Sequence, residues 1–232
     1  MSIGIVASHA VIGAADYDTQ ILALSPNFYW KMDEASFTNG QNLIDSSGNG
    51  RQLTLHGSGL SAQASLLTSG VGGSLALDGS SGTYGDIASA SWLNPTSFTF
   101  IFLTYISASD TWHFNRWGGG SGQRDWVCIP VGWVSAWVGG SQRDVWLSSV
   151  STGKHHCAYR VAYNGSTTTQ TFFVDGVNVA SRTDSGSINT NATSMLVGRD
   201  TSSGSASCRL SRVAHFGSAL SDANITALAA AA

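Results

Sequence analysis

Between residues 112 and 146 the chain is cut by glycine clusters into runs of five to seven residues, too short for helices and right for strands. The text reads T-W-H-F-N-R-W, then G-G-G-S-G-Q-R, then D-W-V-C-I-P-V, G-W-V-S-A-W-V, G-G-S-Q-R and D-V-W-L-S-S, which predicts a four-stranded meander. Side chains alternate between the two faces of a strand. One predicted face collects Val127, Ile129, Val131, Val134, Ala136, Val138, Val145 and Leu147, an ordinary aliphatic core. The other collects Trp126, Cys128, Pro130, Trp133, Ser135, Trp137, Asp144, Trp146 and Ser148. Six of the eight tryptophans lie in this stretch. A face mixing indoles with Ser and Asp is either covered inside the domain or meets another molecule, and the residues leave both readings open. In the second reading Trp126, Trp133, Trp137 and Trp146 supply stacking surface, roughly 150–250 Å² each, and Arg143 or Asp144 supplies hydrogen bonds.

The rest of the chain repeats this pattern. Strands are expected at 27–32, 53–56, 74–78, 97–106, 154–163, 169–175, 195–198 and 208–216. The run 97–106 is apolar on both faces, which marks a central strand. Asp175-Gly176 is a two-residue hairpin signal. Asp18-Thr19 is expected to cap a short helical turn ended by Pro26, and Ser221-Asp222 to start a terminal helix. Asp45 to Gly50 reads as a turn cluster. The sum is an all-β chain: a two-sheet antiparallel jelly-roll sandwich with an N-terminal arm and a short C-terminal helix. We divide it into an arm, residues 1–17, and a domain, residues 18–232. Ile3, Ile5, Val6, Val11 and Ile12 make the arm apolar, and it is expected to dock either on its own domain or, the preferred reading, on a neighbouring subunit.

Charged residues are only 11% of the chain and the net charge is −3, so nothing points to nucleic acid. Cys128, Cys157 and Cys208 are far apart and odd in number, as expected for free buried thiols in a reducing compartment. No basic n-region precedes Lys31, so no signal peptide is expected, and no apolar run is long enough to span a bilayer.

At this point the order of motifs resembles the laminin G-like, concanavalin A-like jelly-roll domains. The residues that carry it are Phe28-Tyr29-Trp30-Lys31-Met32-Asp33-Glu34, Asp45-Ser46-Ser47-Gly48-Asn49-Gly50, Leu75-Ala76-Leu77-Asp78-Gly79 and Ser97-Phe98-Thr99-Phe100. They continue through Lys154-His155-His156-Cys157-Ala158, Phe173-Val174-Asp175-Gly176, Leu196-Val197-Gly198 and Ala219-Leu220-Ser221. The opening Ile21-Leu22-Ala23-Leu24-Ser25-Pro26 looks most like copies found in virion proteins of tailed bacteriophages. The resemblance implies a binding domain rather than an enzyme. It also implies a virion address, as a minor tail or capsid decoration protein present in many copies. Other virion proteins would then be partners through the arm, and a host-surface glycan would be a second partner.

The chemistry-bearing residues agree with a non-enzyme. Glycoside cleavage needs two carboxylates, and some relatives carry them on a Glu-x-Asp-x-Glu strand. Glu34 is the sole glutamate, so that motif is excluded and hydrolysis of glycosides ranks last. His155 and Cys157 share a strand face but lack a second pair for zinc. Asp45 and Asn49 offer oxygens to a calcium ion, which the family sometimes holds, although an Asx turn uses them as well. No catalytic residue, metal or cofactor is assigned. The expected function is a non-enzymatic structural virion protein, with a lectin-like carbohydrate-binding module as the alternative.

Overall fold

The computed structural model describes residues 16–80, 82–107, 113–117, 124–129, 132–147, 150–190, 193–199 and 207–232. The side chains of residues 117, 124–127 and 129 are not among those described. The arm residues Ile3, Ile5, Val6, Val11 and Ile12 lie outside the described residues, as do Pro130, Val131 and Ser148.

Helix α1 (Tyr17–Ala23) opens the described chain. The strands follow in order: β1 (Phe28–Trp30), β2 (Asn42–Leu43), β3 (Leu53–His56), β4 (Leu60–Ala64), β5 (Gly73–Asp78), β6 (Tyr84–Ile87), β7 (Phe98–Ile106) and β8 (Phe114–Trp117). Then come β9 (Arg124–Ile129), β10 (Trp133–Val138), β11 (Ser141–Trp146), β12 (Gly153–Tyr163), β13 (Thr167–Val174), β14 (Val177–Ser185), β15 (Met195–Val197) and β16 (Ser207–Phe216). Helix α2 (Asp222–Ala231) closes it.

The strands form two antiparallel sheets. The first runs β14-β13-β12-β7-β16-β5-β4, with β1 also paired to β16. The second runs β11-β10-β9-β8-β15-β6-β3-β2. Between them lies a core that includes Phe98, Phe100, Phe102, Phe114, Cys157, Tyr159 and Phe172. This is the expected two-sheet sandwich, and β7 sits in the middle of its sheet with both faces buried.

A third layer covers the outside of the first sheet. Tyr17 and Ile21 of α1 and Ile225 and Leu228 of α2 pack on Tyr29, Ile101, Leu103, Ala158 and Phe173. Among the described residues, neither α1 nor α2 packs on the outer face of the second sheet. The cap of α1 differs from the sequence expectation. Asp16 accepts from the Thr19 amide at 2.8 Å, while Asp18 is drawn away to Tyr29, Lys31 and Arg212. Ser221 caps α2 as expected.

Candidate functional site

Strands β10 and β11 are joined by Gly139-Gly140, with φ of 59° and 82°. Two consecutive positive φ values make the tight turn whose twist suits a hairpin. A side chain at Gly139 would also meet the Ser185 carbonyl at 2.8 Å. The turn sets the register: Trp137 pairs with Gln142, Ser135 with Asp144 and Trp133 with Trp146. Directly opposed residues share a face, so the outer face carries an indole row, a polar row and a second indole row. Trp133 and Trp137 lie four residues apart, about 13 Å along the strand.

The other face of the hairpin is the core. Val134 and Val138 are fully buried, and Ala136 and Val145 nearly so. Trp146 is 69% exposed, and Trp133 and Trp137 are half-buried. The Trp133 and Trp146 rings lie 6.4 Å apart at 55°. Asp144 is oriented in the neighbouring pair, opposite Ser135. Its Oδ1 accepts from Ser135 Oγ and from Gln142 Nε2, both at 2.8 Å. Its Oδ2 carries no hydrogen bond from a described residue.

Two expectations about this face need correction. Cys128 was expected among the indoles, but it pairs with Val134 and is 1% exposed inside the core. Trp126 pairs with Ala136 and Arg116, so its backbone stands level with the aliphatic row rather than the indole row. The cause is loop length. Ile129 pairs with Trp133, leaving three residues between β9 and β10, and a one-residue change in the connection flips every side chain of a strand.

Arg143 follows Gln142 and points to the opposite face from Asp144. Its Nε lies 3.6 Å from Asp184 of β14, and Arg182 grips the same carboxylate at 2.7 and 2.9 Å. Arg182 also donates to the Asp144 carbonyl, and Gln170 to the Arg143 carbonyl. Arg143 thus belongs to a latch that closes one edge of the sandwich.

Other polar clusters lie elsewhere in the fold. Ser151 Oγ lies 3.2 Å from His155 Nε2, and His155 Nδ1 lies 2.8 Å from Asp175 Oδ2, the connectivity of a hydrolase triad. The Ser151 carbonyl, however, also sits 3.0 Å from Nε2 and asks for a proton there. The geometry fits a clamp between this loop and the Asp175 turn better than a nucleophile and its base. Asp18 and Asp33 both face Arg212 beside a cavity of about 400 Å³. Burial alone would raise the Asp18 pKa. Hydrogen bonds from Tyr29 and Lys31 and the charge of Arg212 outweigh burial and hold it low, which suits an ion pair and not an acid catalyst. Asp45 accepts from the Tyr29, Ser47 and Arg51 amides, so its oxygens are used within the turn. Cys128, Cys157 and Cys208 are buried thiols outside any disulfide.

The chain has the fold of solved β-sandwich binding domains. One is domain 4 of AbnA, a GH43 extracellular arabinanase from Geobacillus stearothermophilus, in complex with arabinotriose. It is 16% identical, with 88% of this chain and 98% of that domain covered and a TM-score of 0.63. Another is the binding domain of Paraclostridial Mosquitocidal Protein 1, 11% identical, with 90% and 52% covered and a TM-score of 0.62. A third is the binding domain of Botulinum Neurotoxin DC in complex with SialylT, 11% identical, with 90% and 52% covered and a TM-score of 0.63. The chain spans about half the length of the two toxin domains. At these identities the likeness concerns the fold. No family model matches the sequence, and no curated protein does.

Proposed function

We propose that the domain is a non-enzymatic glycan-recognition module and that its contact surface is the outer face of the β10–β11 hairpin. The observation that carries this reading is the arrangement of Trp146, 69% exposed, beside Trp133, with Asp144 held in place by two donors on one oxygen. An apolar sugar face stacks on an indole, and a fixed carboxylate accepts from hydroxyls at its rim. An oriented Asp144 loses little freedom on binding, which favours affinity. Two of the fold neighbours were solved with arabinotriose and SialylT bound, which favours recognition over a purely structural role.

The virion address rests on the motif order alone. A minor tail or decoration protein that touches host glycans would combine both readings, with the arm, residues 1–17, as the expected attachment to other virion proteins.

The test is a glycan array followed by calorimetry on the best neutral binder. Alanine at Trp133, Trp137 and Trp146 together is expected to abolish binding, and alanine at the exposed Trp146 alone to weaken it while leaving the melting temperature nearly unchanged. Undiminished binding by that triple variant would remove the proposed surface. The same preparations are expected to release no reducing ends from the bound glycan.

A further inference from the structure

The outer face of the second sheet can be followed residue by residue. Asp144, Ser135, Val127, Asn115, Leu196, Asp86, Thr54 and Asn42 are paired in turn and form one row across all eight strands. At about 4.8 Å per strand, Asp86 stands about 24 Å from Asp144. The row is not an open trough, because Ser135 is 4% exposed and Asn115 is 0% exposed. Beyond the covered middle the face opens again into a groove of about 450 Å³.

Asn42, Thr54 and Asp86 form the groove's floor, and Arg51, Gln52 and Trp92 stand around it. Each group is oriented. Thr54 Oγ1 donates to Asn42 Oδ1 at 2.8 Å, which turns the Asn42 amide nitrogen into the free donor. Asp86 Oδ1 lies 2.7 Å from His56 Nε2, and the His56 ring stacks on Tyr84 at 4.5 Å. The Arg51 guanidinium lies 4.3 Å over the Trp92 ring, with Nη1 donating to the Asn27 carbonyl. The logic repeats that of Asp144, namely a carboxylate fixed through one oxygen, neighbouring amide groups and an indole wall.

We propose that this groove is a second saccharide site, separate from the β10–β11 surface, and that it takes a neutral sugar ring. Vicinal hydroxyls need an acceptor and a donor side by side, which Asp86 and the amides of Asn42 and Gln52 supply. One carboxylate and one guanidinium leave no net charge with which to select an anion or a phosphate. The domain would then grip a branched or surface-bound glycan at two points, gaining avidity without high affinity at either. This rests on the glycan reading, and the experiment separates the two.

The domain is titrated with arabinotriose, with cellotetraose and, as an anionic control, with sialyllactose. The readout is the ¹H–¹⁵N spectrum, with the Trp92 and Trp146 indole signals assigned from Trp92→Phe and Trp146→Phe. A neutral probe is expected to move the Trp92 signal and the amides of 50–54 and 86–90 saturably. Asp86→Asn and His56→Gln are each expected to weaken that response about tenfold while leaving the Trp146 response intact. Movement of Trp146 alone would overturn the second site and leave the first reading standing. A response at Trp92 to sialyllactose only would overturn the neutral class. Silence of both indoles toward all three probes would overturn both.

Discussion

Arg212 sits at a bulge in β16, with φ of 53° and 1% of its surface exposed. Its guanidinium meets Asp18 at 3.0 Å, Asp33 at 3.5 Å and the Lys31 carbonyl at 3.2 Å. A buried cation of this kind persists because its partners are in place, and removing it breaks a buried ion pair, leaving Asp33 without its cation while Asp18 keeps Tyr29 and Lys31. Arg212→Leu is therefore expected to cost about 3–5 kcal/mol in urea unfolding. Histidines set the acid limit. Burial pushes His156 down to about 4, against the attraction of Asp175, with Tyr17 packed on its ring. Burial, together with Arg51 and Arg116, pushes His215 down to about 3, where Nδ1 accepts from Asn27. Both must be neutral in the native state, while the unfolded chain takes up their protons near 6.5. Their stabilising effect is therefore complete above pH 6.5 and is lost as pH falls toward 4 and then 3. At pH 5 each is expected to account for about 2 kcal/mol of lost stability. Unfolding curves at pH 7 and pH 5 for the protein and for His156→Gln check this, and the variant should show the shallower pH dependence.

At the scale of elements, legibility followed hydrophobic contrast. Strand β7 could be read from its apolar run, whereas the Asp175-Gly176 hairpin and α2 were read from local turn and cap residues, Asp175-Gly176 and Ser221-Asp222. Strands β4 and β6 were missed. Leu60–Ala64 is an exposed edge of small and polar residues, and Tyr84–Ile87 interrupts its alternation with Gly85 and Asp86. The faces of β10 and β11 were readable from alternation, whereas that of β9 was inverted, because alternation gives a period and the connecting loop gives the phase. The groove at β2, β3 and β6 joins residues 42–92 through pairings that no local pattern carries. The helix layer gives this scale its prediction. Ile225 is fully buried against the first sheet, so Ile225→Ala is expected to cost about 2–4 kcal/mol. It should leave glycan binding unchanged once folded, because it lies on the opposite side of the sandwich. Gly139→Ala should do the reverse, straining the turn that fixes the Trp133–Trp146 register. Loss of binding should exceed loss of stability, as read by calorimetry and melting of the same preparations.

Seen whole, the molecule is a sandwich with unequal sides. Helices α1 and α2 seal the outside of the first sheet, and the latch of Arg143, Arg182 and Asp184 ties one edge of the two sheets together. Among the described residues, the outside of the second sheet carries neither helix, and the exposed indole and the oriented carboxylates lie there. The fold class could be inferred from strand spacing and turn residues. The division of labour between the two sheets could not, because it depends on where the helices pack. The central claim is that recognition happens on the indole face of β10 and β11. The most direct test is to map amide and indole shifts when the labelled domain is saturated with the neutral glycan chosen by the array. The account predicts perturbations at Trp133, Trp137, Gln142, Asp144 and Trp146, and none at Ile21, Ile225 or Leu228. Perturbations confined to the helix-covered side, with the Trp146 signal unmoved, would contradict it.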